Sequence, residues 1–129
     1  MRKLLDSIKA AFSFRPAAVT ATANGTSVDT LGYFDGMAVL EVGAVTGTSP
    51  TLDVKVQESD DNSTWSDTGI TFTQVTAANN SQAKRLAELN LTRKRYLRGV
   101  ATIAGTTPNF TFGLELLLGD GYSGAVTND

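Results

Sequence analysis

An all-β fold, with antiparallel strands packed as a sandwich or jelly roll in a single domain, is what this sequence predicts, and three observations carry it. Apolar and polar residues alternate with period two over residues 51–59 and again over 109–118. Eighteen threonines and ten valines favour extended backbone. Turn-forming residues punctuate the chain at roughly 8–12-residue intervals, the spacing of short antiparallel strands. The 129 residues are one domain's worth of chain, since domains run to about 100–150 residues.

Taken in order, residues 1–16 form an N-terminal arm. Leu4, Leu5, Ile8, Ala11 and Phe12 share one face of a helix over 3–14, while Lys3, Asp6 and Lys9 lie off it. Pro16 ends that helix. A helix this short is marginal alone, so Leu4, Leu5, Ile8 and Phe12 are expected to dock on the chain's own domain, a neighbouring subunit or a membrane. Asp6, Ser7 and Lys9 break the unbroken apolar run that a secretory signal requires, and synthesis in the cytoplasm is the expectation.

The β domain occupies 17–119. Segments 17–22 and 27–33 flank Asn24-Gly25, a hairpin turn. Asp35-Gly36 leads into a strand over 37–45, which Gly47-Thr48-Ser49-Pro50 closes. In 51–59, Leu52, Val54 and Val56 face inward and Asp53, Lys55 and Gln57 outward. Asp60-Asp61-Asn62-Ser63 turns toward Trp65 and a short strand over 70–75. Residues 77–83 read as a polar loop, and 86–91, 94–104 and 109–118 as strands. About eight strands result, with Leu52, Val54, Val56, Phe110, Phe112, Leu114 and Leu116 as the core. Residues 120–129 lack periodicity and are expected to be an irregular tail.

Composition removes most enzyme classes. The chain has no cysteine and no histidine, so disulfides, thiol nucleophiles, histidine triads and the usual zinc ligands are absent together. Asp60, Asp61, Asn62 and Asp67 offer hard oxygen ligands, yet a calcium loop counted from Asp60 would need Gly and Glu where Trp65 and Thr71 stand. Gly119-Asp120-Gly121-Tyr122-Ser123-Gly124 spells a dinucleotide fingerprint, but five residues remain after it where a helix and a second strand are required. No catalytic residue, cofactor or metal is therefore expected.

The net charge of −2 is unevenly spread. Residues 1–15 carry +3, 16–83 carry −7, 84–98 carry +5 and 99–129 carry −3. Segregated charge on a nearly neutral chain suits docking against complementary surfaces, other copies of the chain included. Arg93, Lys94, Arg95 and Arg98 are the densest basic group and interleave Tyr96. Single-strand binders show that pattern, but a nucleic-acid domain is basic overall, so charge pairing within or between subunits is expected in its place.

Two resemblances bear on function. Residues 57–67, Gln-Glu-Ser-Asp-Asp-Asn-Ser-Thr-Trp-Ser-Asp, resemble the hairpin of discoidin-like β-sandwich modules, some of which bind sugars or lipid head groups; in that reading Trp65 is a stacking platform, and in the alternative it fills the core. Across 17–119, the segment from Thr51 to Trp65, the block Arg93-Lys94-Arg95-Tyr96-Leu97-Arg98 and the ending Phe112 to Gly119, together with the arm, resemble small structural proteins from tailed-phage head gene clusters. That resemblance implies a capsid decoration or cement protein at the virion head surface, bound to the major capsid protein as a homotrimer, with no nucleic-acid or membrane partner. A tail or head–tail connector component and a carbohydrate-binding module are the alternatives.

Overall fold

A computed structural model describes residues 8–119 of the chain. Its regular structure is entirely β: β1 Lys9–Val19, β2 Ala23–Asn24, β3 Val28–Asp29, β4 Asp35–Ser59, β5 Ser66–Thr71, β6 Asn80–Leu86 and β7 Tyr96–Gly119. All seven strands join one sheet, and every pairing in it is antiparallel.

β4 and β7 form its spine, paired from Asp35–Gly119 at one end to Ser59–Tyr96 at the other. A straight strand of 25 residues would run ~85 Å, far beyond a compact domain with a radius of gyration of ~14 Å. The ribbon must therefore bend, and its register slips between Thr46 and Thr48 and between Thr48 and Thr51. At this corner both strands carry the same chemistry, Gly47-Thr48-Ser49-Pro50 and Gly105-Thr106-Thr107-Pro108. The glycines have φ of 112° and 118°, and Ser49 and Thr107 have φ of 50° and 47°. The crossing is reciprocal. A Cβ on Gly47 would lie 2.9 Å from Pro108 Cα, and one on Gly105 would lie 2.8 Å from Pro50 Cα. Only glycine allows both the backbone angle and the close approach.

The corner divides the sheet into two halves. In the first, residues 35–45 pair with 110–119, β6 flanks β4 and β1 flanks β7. In the second, residues 51–59 pair with 96–104, with β5 and a Leu52–Val75 bridge on one side and β2 and β3 on the other. One apolar core takes residues from both halves, including Leu40, Leu52, Val54, Val56, Phe110, Phe112, Leu114 and Leu116, each at most 2% exposed. The expected core residues are all in it. The halves touch so closely that a Cβ on Gly99 would strike the Leu114 side chain.

Side chains close both seams between the halves. On one, the buried Ser13 hydroxyl accepts the Gly99 N–H at 2.8 Å and donates to the Thr26 carbonyl at 2.8 Å. On the other, the Gln82 amide accepts the Thr73 N–H at 2.8 Å and donates to the Thr73 carbonyl at 2.9 Å, as a strand neighbour would.

Several sequence expectations are corrected. The helix over 3–14 is replaced, where it is described, by β1, and Pro16 lies at a register break inside that strand. The reason is physical: a lone three-turn helix is marginal, whereas the edge of β7 offers a row of backbone groups that require partners. Proline, lacking an N–H, is tolerated at such a bulge. β1 thus crosses the boundary drawn between arm and domain at residue 16. Asn24-Gly25 is not a hairpin turn, because β2 and β3 both lie along β7. Gly47–Pro50 closes no strand, and 94–104 and 109–118 are one strand bent at Gly105. The polar stretch 77–83 contributes to β6, while 86–91 turns, with the Glu88 carbonyl accepting N–H groups of Leu91 and Thr92 at 3.1 and 3.2 Å. Leu4, Leu5 and the tail 120–129 lie outside the described residues.

Candidate interaction surface

The acidic middle and the basic late segment are neighbours in space because residues 96–104 run antiparallel beside 51–59 and beside β3. Charges far apart in sequence consequently meet within the chain. Arg95 donates from Nε and Nη2 to the two carboxylate oxygens of Asp29, at 2.8 and 2.7 Å. That fork holds the Asp29 carboxyl down at about 2, chiefly through the hydrogen bond from Arg95, and raises the Arg95 guanidinium in turn. Arg98 lies 4.4 Å over the Trp65 ring and donates to Gln57 Oε1 at 3.1 and 2.9 Å. Lys94 Nζ stands 3.8 Å from Asp60, and its backbone N–H donates to Glu58 at 3.1 Å. Arg93 donates to the Thr68 carbonyl at 3.3 Å, and its Nε is buried without a partner.

All four basic residues of the predicted charged interface are thus engaged inside the chain, in a cluster that ties the 86–95 turn to the second half-sheet. Trp65 is neither a buried core residue nor a bare platform. It is half-buried, with its face taken by Arg98. The Asp60–Ser63 turn is organised by Asp61, which accepts the N–H groups of Thr64 and Ser63 at 2.8 and 2.9 Å and the Ser59 hydroxyl at 2.9 Å. The two backbone bonds are the main cause of its lowered pKa, about 2. These are the contacts of a turn-forming aspartate. Among the described residues no cluster of three or more carboxylates gathers as a metal site would.

A different surface stands out once the register is known. Antiparallel partners share a face, so Ala10, Leu117 and Met37 form one row on the outer face of the first half-sheet, and Phe12, Glu115 and Val39 the next. Ile8 and Met37 are 44% and 43% exposed. Of the predicted arm-docking residues, Phe12 therefore belongs to a sheet face, and Ile8 stands just before β1. Beside these rows Gly43 and Gly113 carry no side chain, which leaves a shallow groove of about 450 Å³ lined by Pro16, Glu41, Asn79, Ser81 and Thr111. Glu41 accepts the Ser81 hydroxyl at 2.6 Å within it. This apolar outer face escaped the sequence reading because its residues come from three separated segments. The signal available was Met37, Val39 and Leu117 at positions where alternation with Ala38, Leu40 and Leu116 calls for polar side chains.

No protein-family model and no curated protein matches this chain. Among solved structures, the chain is similar to the PBSX exported protein XepA, with a TM-score of 0.57 and 23% identity over 86% of this chain. It spans 37% of the length of that protein. Two others are more distant: the SPBc2 prophage-derived protein YomS, at 12% identity over 85% of this chain and 92% of its own with a TM-score of 0.49, and a family two carbohydrate esterase from Cellvibrio japonicus, at 11% over 88% and 34% with a TM-score of 0.38. What this chain has in common with XepA, over that span, is the fold.

Proposed function

We propose that this chain is a non-catalytic structural protein of a tailed-phage virion, a decoration or cement protein that binds the outer surface of the head with the major capsid protein as its partner. The observation that carries the reading is the fold held in common with the PBSX protein over most of this chain, which joins the sequence resemblance to phage head proteins. The physical character of the molecule supports it. Its charged cluster is used to brace the chain itself, and a face of apolar side chains is left outward. Weak contacts repeated over a lattice add up to strong retention without any single tight site. In this reading no cofactor, nucleic acid or membrane takes part, and the protein acts at the head surface after synthesis in the host cytoplasm.

The test adds purified protein to shells that lack it and maps the added density by radius. Saturable density outside the shell is expected. The contribution of Leu4 and Leu5 is tested by removing residues 1–7 only, because Ser13 and Phe14 are part of the buried structure, and weaker occupancy by the shortened chain is expected. Bare shells, with the protein instead on tails, would replace the decoration role by the connector role. A second reading follows from the name of the XepA neighbour, an exported protein: if the chain is found in the culture fluid and not in virions, it is an exported phage product.

A further inference from the structure

A sheet face turned to water ordinarily carries polar side chains, yet the outer face of the first half-sheet presents Phe12, Met37, Val39 and Leu117. Charges interrupt it: Arg85, in register with Met37, pairs with Asp35 on the same face, Glu41 accepts the Ser81 hydroxyl, and Glu115 and Arg15 stand there as well. Glu115 lies in register between Phe12 and Val39, and none of the hydrogen bonds and ion pairs among the described residues engages its carboxylate. Arg15 is exposed, and its guanidinium rests 5.6 Å over the Phe12 ring with no carboxylate in salt-bridge range among those residues.

We infer that this face is a two-fold interface between copies of this chain. A two-fold pair brings the same patch from both sides, so a patch must be complementary to itself. This one is: Arg15 and Glu115 are a cation and an anion on neighbouring strands, neither in an ion pair among the described residues, and Arg15 of each protomer can meet Glu115 of the other. Its relief is uneven, with Met37 43% exposed and a groove at Gly43 and Gly113. Edge-to-edge strand addition is the less favoured route at β1. Pro16 removes a backbone donor there, and two register breaks, between Phe12 and Phe14 and between Phe14 and Ala17, distort the edge. A two-fold pair departs from the three-fold arrangement that the phage resemblance implies. It stands or falls without shells, so its test is separate from that of the decoration role.

The experiment is sedimentation velocity with native mass measurement on the full chain, from about 1 to 200 μM, the range in which a modest interface shows itself. A dimer is expected. Arg15→Glu and Glu115→Arg should each weaken association by about tenfold or more, since each places like charges opposite one another twice, and the double swap should recover it to within about threefold. Phe12→Ser with Met37→Ser should give a monomer whose circular dichroism is unchanged. A monomer throughout the range, a trimer or other odd ring, or a dimer indifferent to both single swaps overturns the inference.

Discussion

Replacing Gly105 by alanine probes the corner on which both halves of the sheet depend. Two costs combine. Alanine at φ of 118° pays a backbone penalty of about 1–2 kcal/mol for the left-handed side of the map. Its Cβ would also stand 2.7 Å from the Ser49 carbonyl oxygen and 2.8 Å from Pro50 Cα. Both are backbone atoms of a paired strand, unable to swing aside as a side-chain tip does, and relieving such overpacking costs about 1–3 kcal/mol. The sum, about 2–5 kcal/mol, is a large share of the 5–15 kcal/mol that holds a typical domain. At about 3–4 °C per kcal/mol for a chain of this length, the melting temperature should fall by about 6–20 °C. Gly69→Ala is the control, because Gly69 has φ of 89° with no atom within 4 Å of its would-be Cβ, and it should lose only the backbone part. Thermal and urea denaturation of both variants separate the two costs. If Gly105→Ala is no more damaging than Gly69→Ala, the close crossing of the strands is not what requires glycine at the corner.

Three further outcomes are expected. Ser13→Ala leaves the Gly99 N–H buried without its acceptor and should cost about 1–3 kcal/mol in urea denaturation, with faster amide exchange at Gly99. The Asp29 carboxyl titrates at about 2 in the folded chain against an ordinary 3.8, so its contribution is complete above about pH 4 and disappears as the pH falls toward 2. With the two side chains 39% and 41% exposed, solvent screening holds that contribution to about 1 kcal/mol, and Arg95→Ala should flatten stability over this acid window. Val54→Asp places a charge without a partner at a position 2% exposed and should abolish the β circular dichroism spectrum.

What the amino-acid sequence determined alone was whatever a local pattern can state. Period-two alternation identified β structure and named the core, because the two faces of a strand are set by the covalent chain itself. The absence of histidine and cysteine removed whole chemistries without any fold. The tertiary structure decided the rest. Residues 9–14 satisfy a helical spacing, yet they form a strand, since the unpaired edge of β7 offers hydrogen bonds that a short isolated helix cannot match. Gly-Thr-Ser-Pro and Gly-Thr-Thr-Pro read as turns one at a time; only their meeting across the ribbon makes them a corner, each glycine admitting the other strand's proline. Arg93, Lys94, Arg95 and Arg98 call for charge partners within the chain or on another copy, and antiparallel pairing brings Asp29, Gln57, Glu58 and Asp60 of the same chain beside them. Met37, Val39 and Leu117 hint at the outward apolar face within their own segments, but a sheet face is assembled from residues dozens of positions apart, and register alone decides which of them stand together.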